Sequence, residues 1–193
     1  MGHNHNDGHN PKTQVLIQPN IGLDSDARLA VVKILNISLA DEVMLATKTR
    51  SACWNVRGMD FFELHTLFAS QYQLLNNLSD EIAERVRILG GFAFGSLDEF
   101  IQYTRMEERP GVVPDSLYLL ADHEAFIRFL REDARRCTEE FEDGGSFELL
   151  VNVMRLHEKM AWILRSYIEN EPIYGESQEK ILKMNNNVLK AIQ

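Results

Sequence analysis

Cysteine is scarce in this chain: among 193 residues only Cys53 and Cys137 carry a thiol, and they make no CxxC pair. That excludes a disulfide framework or a zinc ribbon, and the expected compartment is a reducing cytoplasm. Long apolar runs are missing too, since nothing approaches the roughly 18 residues of a membrane span. The opening stretch MGHNHNDGHNPKTQ has no apolar centre that could serve as a signal peptide. Positive charge is in deficit, with 20 Lys and Arg against 29 Asp and Glu for a formal net charge of −9. Neutralised phosphates supply most non-specific nucleic-acid affinity, so this balance disfavours a simple basic DNA binder and fits a handler of cations. Strand signals are absent as well: no sustained period-two run and no Asn-Gly hairpin.

What the chain does have is helical periodicity. Its 45% hydrophobic content is that of a globular protein, and its length suits one domain. Residues 1–23 are rich in His, Asn and Gly without any helical period and read as a flexible tail. From Asp24, the residues Val32, Leu35, Leu39, Val43 and Ala46 recur at steps of three or four, which predicts a helix to about Val56. Asp60 with Glu63 forms a capping-box pattern ahead of a second helix. That helix carries Phe61, Leu64, Phe68, Tyr72, Leu75, Leu78, Ile82, Val86 and Leu89 inward, and Gly90-Gly91 ends it. A short helix fits Gly95–Tyr103 within the long connection that follows.

A further helix is predicted over Asp115 to about Phe141, with Leu120, Ile127, Leu130 and Ala134 inward. The last, capped by Ser146, places Leu149, Val153, Leu156, Met160, Ile163 and Tyr167 on its inner face. Residues 171–193 read as a tail or a weak helix around Ile181, Leu182, Val188 and Leu189. The expected fold is all-α: a four-helix bundle over residues 24–170, with a short extra helix between the second and third long helices.

Bundles that hold a metal pair in their core commonly use Glu-x-x-His motifs. Here the residues three before His65, His123 and His157 are Phe62, Leu120 and Met154, so a core iron pair on that plan is excluded. A different set remains. Asp80 and Glu84 share one side of the second helix, roughly opposite inward Ile82. His65 precedes Asp80 by about 22 Å along the same helix at 1.5 Å per residue. One ion cannot span that length, so a shared site requires an antiparallel helix from a second copy. Taken alone, Asp80 and Glu84 also fit a solvated helix face.

The segments LADEVML (Leu39–Leu45), WNVRG (Trp54–Gly58), LHTLF (Leu64–Phe68), DEIAERV (Asp80–Val86) and HEKMAWILR (His157–Arg165) occur in one register. In that order they resemble the Dps family, the ferritin-like mini-ferritins known as DNA-binding proteins from starved cells. The resemblance covers most of the chain and leaves out only the tails. It implies a ferritin-like bundle that assembles as a homo-oligomeric dodecamer. It also implies inter-subunit sites that oxidise Fe(II) with hydrogen peroxide or oxygen, and a ferric store that protects against oxidative stress. On the family pattern, His65 of one chain meets Asp80 and Glu84 of another, with the position of Cys53 as a further ligand.

Two departures qualify that pattern. Cys53 stands where the family has a histidine, and Ala69 stands where it often has an acid. A thiolate is soft and oxidisable, which favours zinc or copper(I) over repeated iron–peroxide cycles. Cys53 is thus either a ligand of a zinc-holding cage without turnover or a buried thiol outside the coordination. Trp54, beside it, is either near the metal or interface packing, and Cys137 is a core residue of the third long helix. The resemblance also implies acidic iron-entry pores, for which Asp122 and Asp133 are candidates. The tail histidines His3, His5 and His9 could capture Cu(II), Ni(II) or Zn(II). DNA binding is the weaker inference, because neither tail carries an excess of basic residues.

Overall fold

The computed structural model describes residues 17–170. The tail histidines His3, His5 and His9 and the residues around Ile181 and Val188 lie outside the described residues. Those residues form helices α1 (Ser25–Asn55), α2 (Phe61–Ile88), α3 (Leu97–Tyr103), α4 (Ser116–Glu139) and α5 (Gly144–Asn170), with no strand among them. The all-α four-helix bundle is as expected, including the short helix in the connection.

Local chemistry sets the helix ends. Asp24 caps α1 by accepting from the Asp26 amide at 2.8 Å. Gly90 follows α2 at φ 86°, a left-handed position that suits glycine. Asp60 sits at the α2 N-cap but makes no side-chain cap bond. Its carboxylate instead accepts from the Tyr167 hydroxyl at 3.0 Å, so the expected capping box there is not formed. The box occurs at α3, between Ser96 and Glu99. At α5 the capping carboxylate is Asp143, which takes the Ser146 amide at 3.0 Å and its hydroxyl at 2.6 Å. Ser146, expected as the cap, is therefore the capped residue.

Cross-helix contacts give the directions. Ser38 and Lys48 of α1 meet Asp133 and Asp122 of α4, so those helices are antiparallel. Arg85 meets Asp143 before α5 while Asp60 meets Tyr167 near its end, so α2 and α5 are antiparallel too. The two hairpins α1–α2 and α4–α5 then leave α2 and α4 running parallel, and residues 89–115 must travel the length of the bundle between them. Gly91 lies tight in that connection, where an added Cβ would come within 2.5 Å of Val32.

The core is a single cluster that includes Leu35, Leu45, Phe68, Leu75, Ile82, Phe126, Leu130, Leu150 and Leu164. Cys137 lies in it as expected, fully buried. The α5 stripe differs from expectation. Its buried positions are Leu150, Val153, Met154, His157, Met160, Ala161 and Leu164, while Leu149, Leu156, Ile163 and Tyr167 are half-buried. The true stripe is rotated by one residue because a polar side chain, His157, sits on its centre line.

Candidate metal centre

Cys53, near the end of α1, and His65, near the start of α2, lie on either side of the turn of a helical hairpin. Cys53, in the last turn of α1, is 3% exposed. Its thiol donates to the backbone oxygen of His65 at 3.6 Å, which ties the end of α1 to the start of α2. Burial raises its pKa, so the group stays a thiol at neutral pH. The His65 imidazole is exposed and lies against the Phe61 ring, with centroids 5.4 Å apart.

Asp80 and Glu84 are exposed farther along α2, on the side opposite buried Ile82. The structure thus brings Cys53 and His65 together but keeps Asp80 and Glu84 at the other half of the helix. Among the described residues, no three His, Cys, Asp or Glu side chains of the single chain gather where a metal ion could be held. Around His65 the surface is unusually apolar: Trp54 is 72% exposed, Met59 99% and Phe62 78%. Arg50 lies over the Trp54 ring, 5.7 Å from its centroid. Large apolar side chains left in water beside a polar cluster mark a face that another protein surface covers.

Asp122 and Asp133, the pore candidates, are both taken up inside the subunit. Asp133 is 4% exposed and joins Arg105 at 2.8 Å, with the Ser38 hydroxyl donating to it at 3.2 Å. Arg105 also holds Asp41 at 2.7 Å, so one guanidinium bridges two buried carboxylates. Burial raises the Asp41 pKa and Arg105 opposes that rise. Asp122 is half-buried against Lys48. Within the subunit both carboxylates of the expected pore are therefore engaged in ion pairs, Asp122 with Lys48 and Asp133 with Arg105.

One polar cluster was missed in the sequence. Glu42 of α1, His123 of α4 and His157 of α5 meet in the dry interior, all 0% exposed. His157 Nε2 lies 3.1 Å from Glu42 Oε2, and its Nδ1 lies 2.9 Å from His123 Nδ1. Phe126 packs edge-on against the His157 ring. The available signal was positional: His123 stands four residues after Leu119 and three before Phe126, squarely in the buried stripe of α4.

Comparison with known proteins agrees with the geometry. The family model of the ferritin-like domain matches residues 32–173. A "DNA protection during starvation protein" of Agrobacterium fabrum is 32% identical over 156 residues, covering 77% of this chain and 94% of that protein. The chain belongs to the Dps family. A low temperature-induced protein of Nostoc sp. is 42% identical over 158 residues, covering 80% of this chain and 88% of its own. Among Dps structures, DpsC from Streptomyces coelicolor superposes with a TM-score of 0.76 at 31% identity, covering 83% of this chain and 95% of that one. As a Dps-family bundle, the subunit presents Cys53, His65 and Trp54 at one end of α2 and the Asp80–Glu84 pair toward the other. No described helix is long and apolar enough to cross a membrane.

Proposed function

We propose that this protein is a Dps-type mini-ferritin, a dodecameric cytoplasmic cage that oxidises Fe(II) with hydrogen peroxide or oxygen and stores the ferric product. The observation that carries this reading is the division of ligands along α2. His65 lies at one end and Asp80 with Glu84 about 22 Å away, with no three-ligand cluster among the described residues of one chain. Two antiparallel copies of α2 bring each His65 to the other copy's Asp80 and Glu84. The exposed Trp54, Met59 and Phe62 supply the apolar area that such a contact buries.

Each substrate Fe(II) is then held by one imidazole and two carboxylates, a mixed nitrogen and oxygen set suited to ferrous iron. Cys53 stands beside it with its S–H directed to the His65 carbonyl. In that role the thiol is a positioning group that fixes the backbone of His65. Consuming Fe(II) and peroxide together removes the reactants of hydroxyl-radical chemistry.

A second reading, a cage that holds zinc without turnover, is favoured by Cys53 and Ala69, which remove an imidazole and an acid from the family set. Stopped-flow Fe(II) oxidation by peroxide separates the two, using the native chain, a His65/Asp80/Glu84 triple-alanine variant and Cys53→His. The ferroxidase reading expects the triple variant to be slower by at least tenfold. Equal native and triple-variant rates, with zinc retained by the native protein alone, favour the zinc cage. A faster Cys53→His variant shows that the thiol has lowered the activity of an iron site.

A further inference from the structure

The bundle interior holds three titratable side chains for which the iron chemistry has no use. Glu42, His157 and His123 form a linear chain across α1, α5 and α4, with heavy-atom separations of 3.1 Å and 2.9 Å. It is not arranged around a single ion, because His157 turns a different ring nitrogen to each neighbour. Nor is it compensated from outside. The other buried titratable groups of α1 are Arg28, Asp41 and Cys53, and those of α4 are Asp133 and Cys137. Arg28 donates to the Leu89 carbonyl, Asp41 and Asp133 share Arg105, and Cys53 is bonded to His65. Half-buried Asp122, next to His123, is paired with Lys48. The buried residues of α2 include Gln71 but no titratable group, and α5 buries only His157.

Two hydrogen bonds in series require a proton in each. With Glu42 assigned as a neutral acid that donates to His157 Nε2, His157 Nδ1–H donates to His123 Nδ1 and the last proton sits on His123 Nε2, a buried atom with no hydrogen-bond partner. The chain then carries three protons and no net charge. Burial works in this direction at every member. It raises Glu42 well above the usual carboxylate range, lowers His157 to about 3 and lowers His123 well below the usual imidazole range. A fourth proton would place a cation in the dry interior with no free counter-ion.

We propose that the Glu42–His157–His123 chain is a pH-sensitive latch, which holds α1, α4 and α5 together while it keeps three protons and no charge, and which a fourth proton opens.

The direction of the pH dependence follows from proton counts in the two states. Below the free imidazole value of about 6.5, the unfolded chain takes up protons on two histidines that the folded chain refuses, so stability falls with acid. Above the free carboxyl value of about 4.5, the unfolded chain releases the Glu42 proton that the folded chain keeps, so stability falls as pH rises. The latch is therefore strongest near neutrality. Its unfolding constant grows about tenfold per pH unit on the alkaline side and about tenfold per unit from 6.5 down to 4.5. Below 4.5 the two histidines act unopposed and the growth steepens further.

Urea unfolding of the full chain across this pH range, at fixed protein concentration, tests the latch with Glu42→Gln and His123→Gln. Glu42→Gln keeps a donor toward His157 but cannot titrate. It should abolish the alkaline fall and steepen the limb between 6.5 and 4.5 to about 100-fold per unit. His123→Gln should flatten the acid limb by about tenfold per unit. If His123→Gln fails to fold, Glu42→Gln alone decides. A Glu42→Gln profile parallel to the native one overturns the proposal, whatever the protein does with iron.

Discussion

His65 and His157 are the same chemical group in opposite circumstances. His157 is enclosed, with a carboxyl on one ring nitrogen and a second imidazole on the other. His65 is open, stacked on Phe61, among apolar side chains that water covers poorly. The enclosed histidine has all its partners within one subunit and contributes to holding it together. The open one has no cluster of ligands around it among the described residues of its own chain, and the proposed function places its role between chains. A histidine's burial thus separates structure from function more cleanly here than its sequence neighbours do.

That contrast can be broken from its strongest side first. His157→Ala should destabilise the subunit by about 2–4 kcal/mol, because it opens a cavity and leaves Glu42 and His123 in the interior without their partner. Denaturant unfolding at neutral pH measures it, and a loss below 1 kcal/mol would mean that the chain of three is not holding the bundle. His65→Ala reverses the pattern. Fe(II) oxidation should slow by about 10–100-fold, the size seen when ligand environments of metal sites are disturbed, with subunit stability unchanged within about 0.5 kcal/mol. A large stability loss from this exposed position would blur the distinction between the two histidines.

Cys53→Ala probes the boundary between the regions, since the thiol is buried but reaches the backbone of His65. Removing a small buried group with a weak hydrogen bond should cost about 1 kcal/mol. If the thiol only positions His65, the oxidation rate should stay within about threefold, less than the loss of a ligand would cause. Tyr167→Phe is the smallest change. It deletes one exposed hydrogen bond to Asp60 and should shift stability by about 0.5 kcal/mol or less, read as a small change in thermal midpoint.

Most of the fold was legible because its helices announce themselves by period and punctuation. The apolar steps from Phe68 to Leu89, closed by Gly90, gave α2 almost as it stands, and the long connection gave the crossing. The misreadings share one cause: polar side chains serving tertiary partners. Asp60 looked like a cap and serves Tyr167; Ser146 looked like a cap and is held by Asp143. His157 was passed over because a search for apolar steps skips a polar residue, which rotated the inferred face of α5. Asp122 and Asp133 read as sharing one side of α4, and folding adds Lys48 and Arg105 as their partners. For the candidate centre, the spacing of His65, Asp80 and Glu84 showed that one chain is too little, while the bond from Cys53 to the His65 carbonyl had no trace in the sequence.

The parallel course of α2 and α4 has a consequence for how the subunit is put together. Each hairpin, α1–α2 and α4–α5, closes through a short turn and can form from local contacts. The halves are joined by Arg105, which bridges Asp41 and Asp133, and by the chain of Glu42, His157 and His123. Association of preformed halves is thus the step that brings distant parts of the chain together, and loop-closure entropy predicts that it is the slow one. Cleavage in the connection, near Pro110, should yield two fragments that recombine when mixed. Their affinity, compared between the native chain and a Glu42→Gln variant, would then report how much the polar interior adds to the shared apolar core.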